Sequence, residues 1–367
     1  MIRRHVFDNG LTLLTESMPD VRSVSLGAWL TQGSRHEGDA GAGIAHFTEH
    51  MLFKGTTTRS AEEIAQQVDS MGGQLDAFTA KECASYYIKV LDEHLPRAVD
   101  LLSNLLLRPA FHAADVQREA QVILEEIKMV EDTPDDLVHE LFMRGFWPGH
   151  PLGRSILGSP ASVTAVTSES LRAFFGRSYV AGNLVVAAAG NVDHAALRDL
   201  VGESFGSLPA RAEPAVETTP AVRPGLAVRS KPIEQSHICV GTRAYSQTHA
   251  DRYPTYVLNT VLGGSMSSRL FQNIREKRGL AYSVSSGLES YRDTGMLTVY
   301  VGCAAATVRE VIDLVAAEMR LLAREPVPCD ELQRAKDHLK GNLVLGLEST
   351  ASRMSQQSAS SSPAPRQ

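Results

Sequence analysis

The 367 residues carry 36 Lys and Arg against 42 Asp and Glu, a net charge of −6, with 43% apolar and 21% charged residues. That is the composition of a soluble globular chain long enough for two domains, and its acidic balance excludes a nucleic-acid surface as the main function. No apolar run approaches the ~18 residues that span a bilayer, and the opening Met-Ile-Arg-Arg-His-Val-Phe-Asp-Asn-Gly lacks the apolar segment of a secretory leader. A cytoplasmic protein with no membrane and no nucleic-acid partner is expected. Cys83, Cys239, Cys303 and Cys329 lie far apart without a C-x-x-C pair and read as reduced thiols.

Residues 5–16 alternate around Asp8-Asn9-Gly10, a tight-turn sequence, and predict a β-hairpin. Ser23 to Thr31 predicts a second, mostly buried strand. Gly41 and Gly43 loosen the chain before Ile44, where apolar residues at 44, 47, 51 and 52 fit one buried helical stripe. That helix carries His46-Phe47-Thr48-Glu49-His50. Residues i and i+4 share a helical face one turn apart, so two neutral imidazoles there can hold one zinc ion with Glu49 beside them. The arrangement is the inverted zincin signature. On its own it also fits two histidines that face solvent or satisfy core hydrogen bonds.

Further along, Ser60 with Glu63 forms a capping box for a helix that ends at Gly72-Gly73. Gln74–Thr79 and Ala84–Val90 predict strands, and about His94 to Leu107 a helix. Asp115 to Val130 predicts a long helix, on which Glu119 and Glu126 stand two turns apart on one face while Glu125 points to solvent. A catalytic zinc needs three protein ligands and an open position, so this acidic face is the natural place to seek the third. A plain solvated acidic helix is the alternative. A strand at Leu184–Ala189 precedes a helix capped by Asp193.

Residues 209–225, rich in Pro and Ala without periodicity, predict an interdomain linker. Beyond it, a strand at His237–Thr242, a polar loop and a helix near Tyr253–Leu262 repeat the order of the first half without its His-x-x-Glu-His. The expected division is a zinc domain at 1–208, the linker, a non-metal domain at 226–354 and a disordered low-complexity tail at 355–367.

With these segments in order, the chain resembles the pitrilysin family of zinc metallopeptidases, in its processing-peptidase branch. The resemblance is carried by His46–Gly55, Gly72–Tyr87, Arg118–Asp132, His150–Gly158 (HPLGRSILG) and Gly263–Val284 (GGSMSSRLFQNIREKRGLAYSV). It implies an α+β fold of two related domains, each a mainly antiparallel sheet packed with helices. It also implies one zinc ion per chain on His46, His50 and Glu126, Glu49 as general base, and Glu119 as a supporting carboxylate. Arg275 and Tyr282 match a pair that family members present to substrate and the developing oxyanion. Gln74–Thr79, with Phe78 and Thr79, resembles an edge strand that takes an extended peptide by strand addition. Asp136 and Glu140 lie at offsets where processing relatives receive a basic substrate residue, though a solvated acidic face fits equally.

The partner implied is a second copy of the chain or a related subunit, closing a chamber around a peptide substrate. A non-catalytic partner subunit is the competing class. The chain departs from the pattern at Asp76, where many relatives carry Asn, and after Thr350, where the second domain is expected to lack a final helix and strand.

Overall fold

The computed structural model describes residues 2–38, 41–210 and 218–361, with side chains as far as residue 357. Its strands are β1 (Ile2–Val6), β2 (Thr12–Ser17), β3 (Ser23–Leu30), β4 (Gln74–Thr79), β5 (Ala84–Leu91), β6 (Leu184–Gly190), β7 (Gln235–Ala244), β8 (Ala281–Ser290) and β9 (Gly295–Ala304). The helices of the first half are α1 (Ile44–Leu52), α2 (Ala61–Ser70), α3 (Leu95–Leu107), α4 (Ala113–Asp132), α5 (Pro134–Phe146), α6 (Pro160–Thr164), α7 (Ser168–Ser178) and α8 (His194–Phe205). Those of the second are α9 (Arg252–Leu262), α10 (Val308–Arg324), α11 (Cys329–Gly346) and α12 (Thr350–Ser361). The fold is α+β, as expected.

Two compact units emerge, and their chain segments interleave. The first comprises residues up to 129, 154–210 and 346–361, the second 130–153 and 218–345. In the first, a six-stranded sheet runs in the order β1-β2-β6-β3-β5-β4, antiparallel except for the β2–β6 pair. Strands β3 and β6 read as continuous apolar runs because both sheet faces are covered. Val24, Leu26, Ala28 and Leu30 face the main core with Phe47, Leu101 and Val201, while Trp29, Ala187 and Ala189 face the opposite layer with Met354 of α12.

In the second unit, three antiparallel strands in the order β7-β9-β8 pack Val284, Val299 and Val301 against Leu262, Val311 and Val315. Helix α5 joins this unit, although the linear division assigned it to the zinc domain. Its Phe142 ring lies where a Cβ on Gly241 of β7 would stand, at 2.3 Å. Phe146 and Trp147 cluster with Tyr291 and Met296.

The C-terminal expectation also needs correction. Ser355–Ser361 is helical, and α12 packs on the sheet of the first unit, not on the second. Ser25 Oγ meets Thr350 Oγ1 at 2.9 Å, Arg353 pairs with Glu16 at 2.6 Å, and Met354 and Gln357 are buried. The low complexity of the segment hid a helix whose buried contacts come every third or fourth residue. Residues 362–367, the rest of the expected tail, lie outside the described residues, as do 211–217 of the expected linker; 218–234 form neither helix nor strand.

The local predictions for capping hold. Ser60 Oγ accepts from Glu63 N at 3.2 Å while Glu63 Oε2 accepts from Ser60 N at 2.7 Å, and Asp193 accepts from Ala196 N at 2.8 Å. Gly43 is the N-cap of α1 with φ of 91°. A Cβ there would stand 2.6 Å from Leu157 O and 2.9 Å from Gly158 Cα, and Gly158 itself sits at φ of 80° against Ala42 O. Gly43→Ala is therefore expected to destabilise the first unit by roughly 2 kcal/mol or more, read from urea unfolding. An unchanged midpoint would contradict this account of the α1 entry.

Candidate metal centre

Helix α1 buries Ile44, Ala45, Phe47, Thr48, Met51 and Leu52, which turns His46, Glu49 and His50 to its open face. Helix α4 buries Val116, Glu119 and Ile123, so Glu119 and Glu126 stand on the side that meets α1. Glu125 faces solvent and pairs with Lys128 at 2.7 Å.

His46, His50 and Glu126 each offer a donor atom within 4.8 Å of the others. Nε2 of His46 lies 3.8 Å from Glu126 Oε2, and Nε2 of His50 lies 3.6 Å from Glu126 Oε1. Both separations exceed a hydrogen bond. They approach the ~3.3 Å between ligand atoms of a tetrahedral zinc with bonds of about 2.0–2.1 Å. A cation placed among the three donor atoms would be held by all of them. His46 is also held neutral: burial, with a smaller push from His50, takes its pKa down to about 4. The donor set and its spacing fit zinc.

Glu49 lies beside this cluster and accepts a short hydrogen bond from Thr79 Oγ1 at the end of β4. Burial raises its pKa above the ordinary 4.5, against the opposing pull of the Thr79 bond and His50. Glu119 does not join the donor triangle. Its Oε1 is 3.5 Å from Nδ1, the other ring nitrogen of His50, and its Oε2 pairs with Lys54 Nζ at 2.8 Å. Lys54 escaped the sequence reading, although it follows His50 by four residues, just past the C-terminal end of α1.

Strand β4 is the last in its sheet and pairs only with β5 among the described residues, leaving its outer edge open. Phe78 on it is 43% exposed. At Asp76 both carboxylate oxygens act as acceptors, one from Tyr87 OH at 3.0 Å and one from Ala77 N at 2.8 Å.

The remaining expected site residues belong to the second unit. The Arg275 guanidinium lies over the Phe271 ring at 4.7 Å and the Tyr282 ring at 5.5 Å, and Tyr282 is exposed. Arg275 sits in a π-helical turn, Phe271–Glu276, an irregularity frequent at functional sites. Asp136 is exposed and Glu140 half-buried on α5.

Sequence reasoning also missed Glu37. It is buried, and its carboxylate accepts from Gly43 N at 2.9 Å and Ala45 N at 2.7 Å. The signal was available: an acidic residue shortly before a helix whose N-cap is a glycine. Burial lifts its pKa to about 7, opposed by the two backbone bonds and by Lys81 and Arg154.

Residues 12–160 match the description "Insulinase (Peptidase family M16)" and residues 165–339 match "Peptidase M16 inactive domain". The chain belongs to peptidase family M16, the pitrilysin family. It is 42% identical over 355 residues to the uncharacterized zinc protease YmxG of Bacillus subtilis, covering 97% of this chain and 87% of that one. It is 44% identical over 358 residues to an uncharacterized zinc protease of Mycobacterium tuberculosis, covering 96% and 82%. Among solved structures, a peptidase M16 inactive domain from Pseudomonas fluorescens is similar at a TM-score of 0.90 with 24% identity, over 97% of this chain and 86% of that one. A protease from Helicobacter pylori gives 0.87 with 22% identity, over 96% and 87%. These two support the fold.

The raised pKa of Glu37 has a defined sign. Below about 4.5 the carboxyl is neutral in both folded and unfolded chains; between 4.5 and about 7 the unfolded chain ionises first. Wild-type stability should therefore fall relative to Glu37→Gln as pH rises through that window. Urea unfolding of both proteins near pH 5 and pH 8 measures it, and an identical difference at the two values would refute it.

Proposed function

We propose that the chain is a zinc-dependent endopeptidase acting on extended peptides or unfolded segments. The observation that carries this reading is the convergence of His46, His50 and Glu126 donors beside Glu49, itself tied to the edge strand through Thr79. His46, His50 and Glu126 would hold one zinc ion per chain. When bound, zinc supplies a Lewis acid that polarises a peptide carbonyl and acidifies water.

The rest is the work of the chain's own groups. Glu49 takes the proton of the attacking water and returns it to the leaving amine. Its partial burial makes it a stronger base than an exposed carboxylate, and Thr79 fixes its orientation. Glu119, paired with Lys54, orients the His50 ring through its Nδ1. The open edge of β4 pairs with substrate backbone, which selects for extended chain over a side-chain code. Arg275 and Tyr282 donate to the developing oxyanion, and Asp136 with Glu140 receives a basic side chain. We place the protein in the cytoplasm, supported by four cysteines that are all free thiols. Among the described residues no helix is long and apolar enough to cross a membrane. A second copy of the chain, or a related subunit, completes the chamber.

A non-catalytic subunit is the second reading, favoured by the "inactive domain" description that the second half matches. The complete donor set in the first half argues for the enzyme.

Hydrolysis of a quenched fluorescent peptide library tests the choice. Activity should vanish with a chelator and return with zinc. Glu49→Gln should keep its zinc and lose roughly 10²–10⁴-fold in kcat. Stoichiometric zinc without turnover would favour the subunit reading, and absence of zinc would remove the enzyme. Charge reversal at Asp136 and Glu140 should slow cleavage of Arg-containing peptides, and an unchanged rate disposes of that pair's role.

A further inference from the structure

We infer that Glu37 is a positioning residue for the metal centre. Its buried carboxylate holds the first turn of α1 through the backbone N–H groups of Gly43 and Ala45, and so fixes His46 against His50 and Glu126. The inference rests on the zinc reading above.

The first N–H groups of a helix lack intrahelical partners, and an N-cap side chain normally supplies one. Helices α2, α7 and α8 are capped in that way, by Ser60, Thr167 and Asp193. Helix α1 cannot be. Its N-cap is Gly43, where a Cβ would strike Leu157 O at 2.6 Å, and its first turn contains no acidic residue. The cap must therefore come from outside the helix, and Glu37 provides it with both oxygens. His46 is the third residue of α1, inside the turn that frays first when the cap is lost.

Glu37 is itself held from a direction that matters for the site. It follows the short turn Ser34–His36. Ser34 N donates to Ala80 O at 3.1 Å, Arg35 N donates to Lys81 O at 2.7 Å, and the Arg35 guanidinium pairs with Glu82 at 2.6 Å. The Ala80–Cys83 connection begins directly after Thr79, the donor to Glu49. One rigid path thus joins the end of β4 to the start of α1, setting the peptide edge and the first histidine in a common frame. Lys81 and Arg154, close enough to lower the Glu37 pKa, keep the carboxylate charged when the pH is high enough.

The test uses the full chain with two variants. Glu37→Gln keeps volume and one acceptor but turns an amide N–H on the second backbone donor. Glu37→Asp keeps the charge on a shorter stem and carries the test should the Gln variant not fold. Zinc dissociation constants come from competition with a chromophoric chelator, amide exchange reports on residues 44–47, and urea unfolding reports stability. Zinc binding is expected to weaken roughly tenfold in Glu37→Gln, the lower end for residues that orient metal ligands, with faster exchange in the first turn of α1. A folded variant that binds zinc as tightly as wild type overturns the inference, including the case where only the urea midpoint moves. Wild type that binds no zinc removes the metal reading and the inference together.

Discussion

Two imidazoles and a carboxylate turn their metal-binding atoms to one point, and much of the first unit exists to keep them there. His46 and His50 are carried on a helix whose other side is buried under the sheet. Glu126 arrives on a second helix whose buried stripe, Val116 and Ile123, fixes its rotation. Neither helix can turn its donors away without exposing core. The rigidity of close-packed apolar layers is thereby converted into a fixed spacing of donors.

Charge is handled with similar economy around that centre. Glu119 and Lys54 form a pair of which the carboxylate is nearly inaccessible, and Glu37 answers to two backbone donors with Lys81 and Arg154 nearby. Arg35 and Glu82 form another pair with the guanidinium almost fully buried. Buried pairs of this kind are weak sources of stability because desolvation offsets their attraction. Their value here is directional, since each spans two segments that must keep a set separation.

Much of this was legible in the amino-acid order. The period of Ile44, Phe47, Met51 and Leu52 was enough to set the histidines on a helix face, and Glu119 and Glu126 announced themselves by their seven-residue spacing. The hairpin at Asn9-Gly10, the Ser60 box and the Asp193 cap are local signals with local causes, and the structure has each of them. What the order did not reveal is long-range. That α5 belongs with β7 depends on Phe142 finding the bare backbone of Gly241. That α12 returns to the first sheet depends on the small side chains of Ala187 and Ala189 leaving room for Met354. Composition marks Ser355–Ser361 as featureless, and the contacts of Thr350, Arg353, Met354 and Gln357 with the sheet anchor the helix that continues through it.

The return of α12 bears on how the protein is made. On the ribosome, β1 to β6 and the residues of the metal cluster emerge early, yet one face of their sheet, with Leu14, Trp29 and Val185, stays bare until Met354 has been synthesised. The whole second unit is translated in that interval. The first unit starts before the second and gains this layer only after it, and until then it presents an apolar surface of the kind on which nascent chains depend on chaperones.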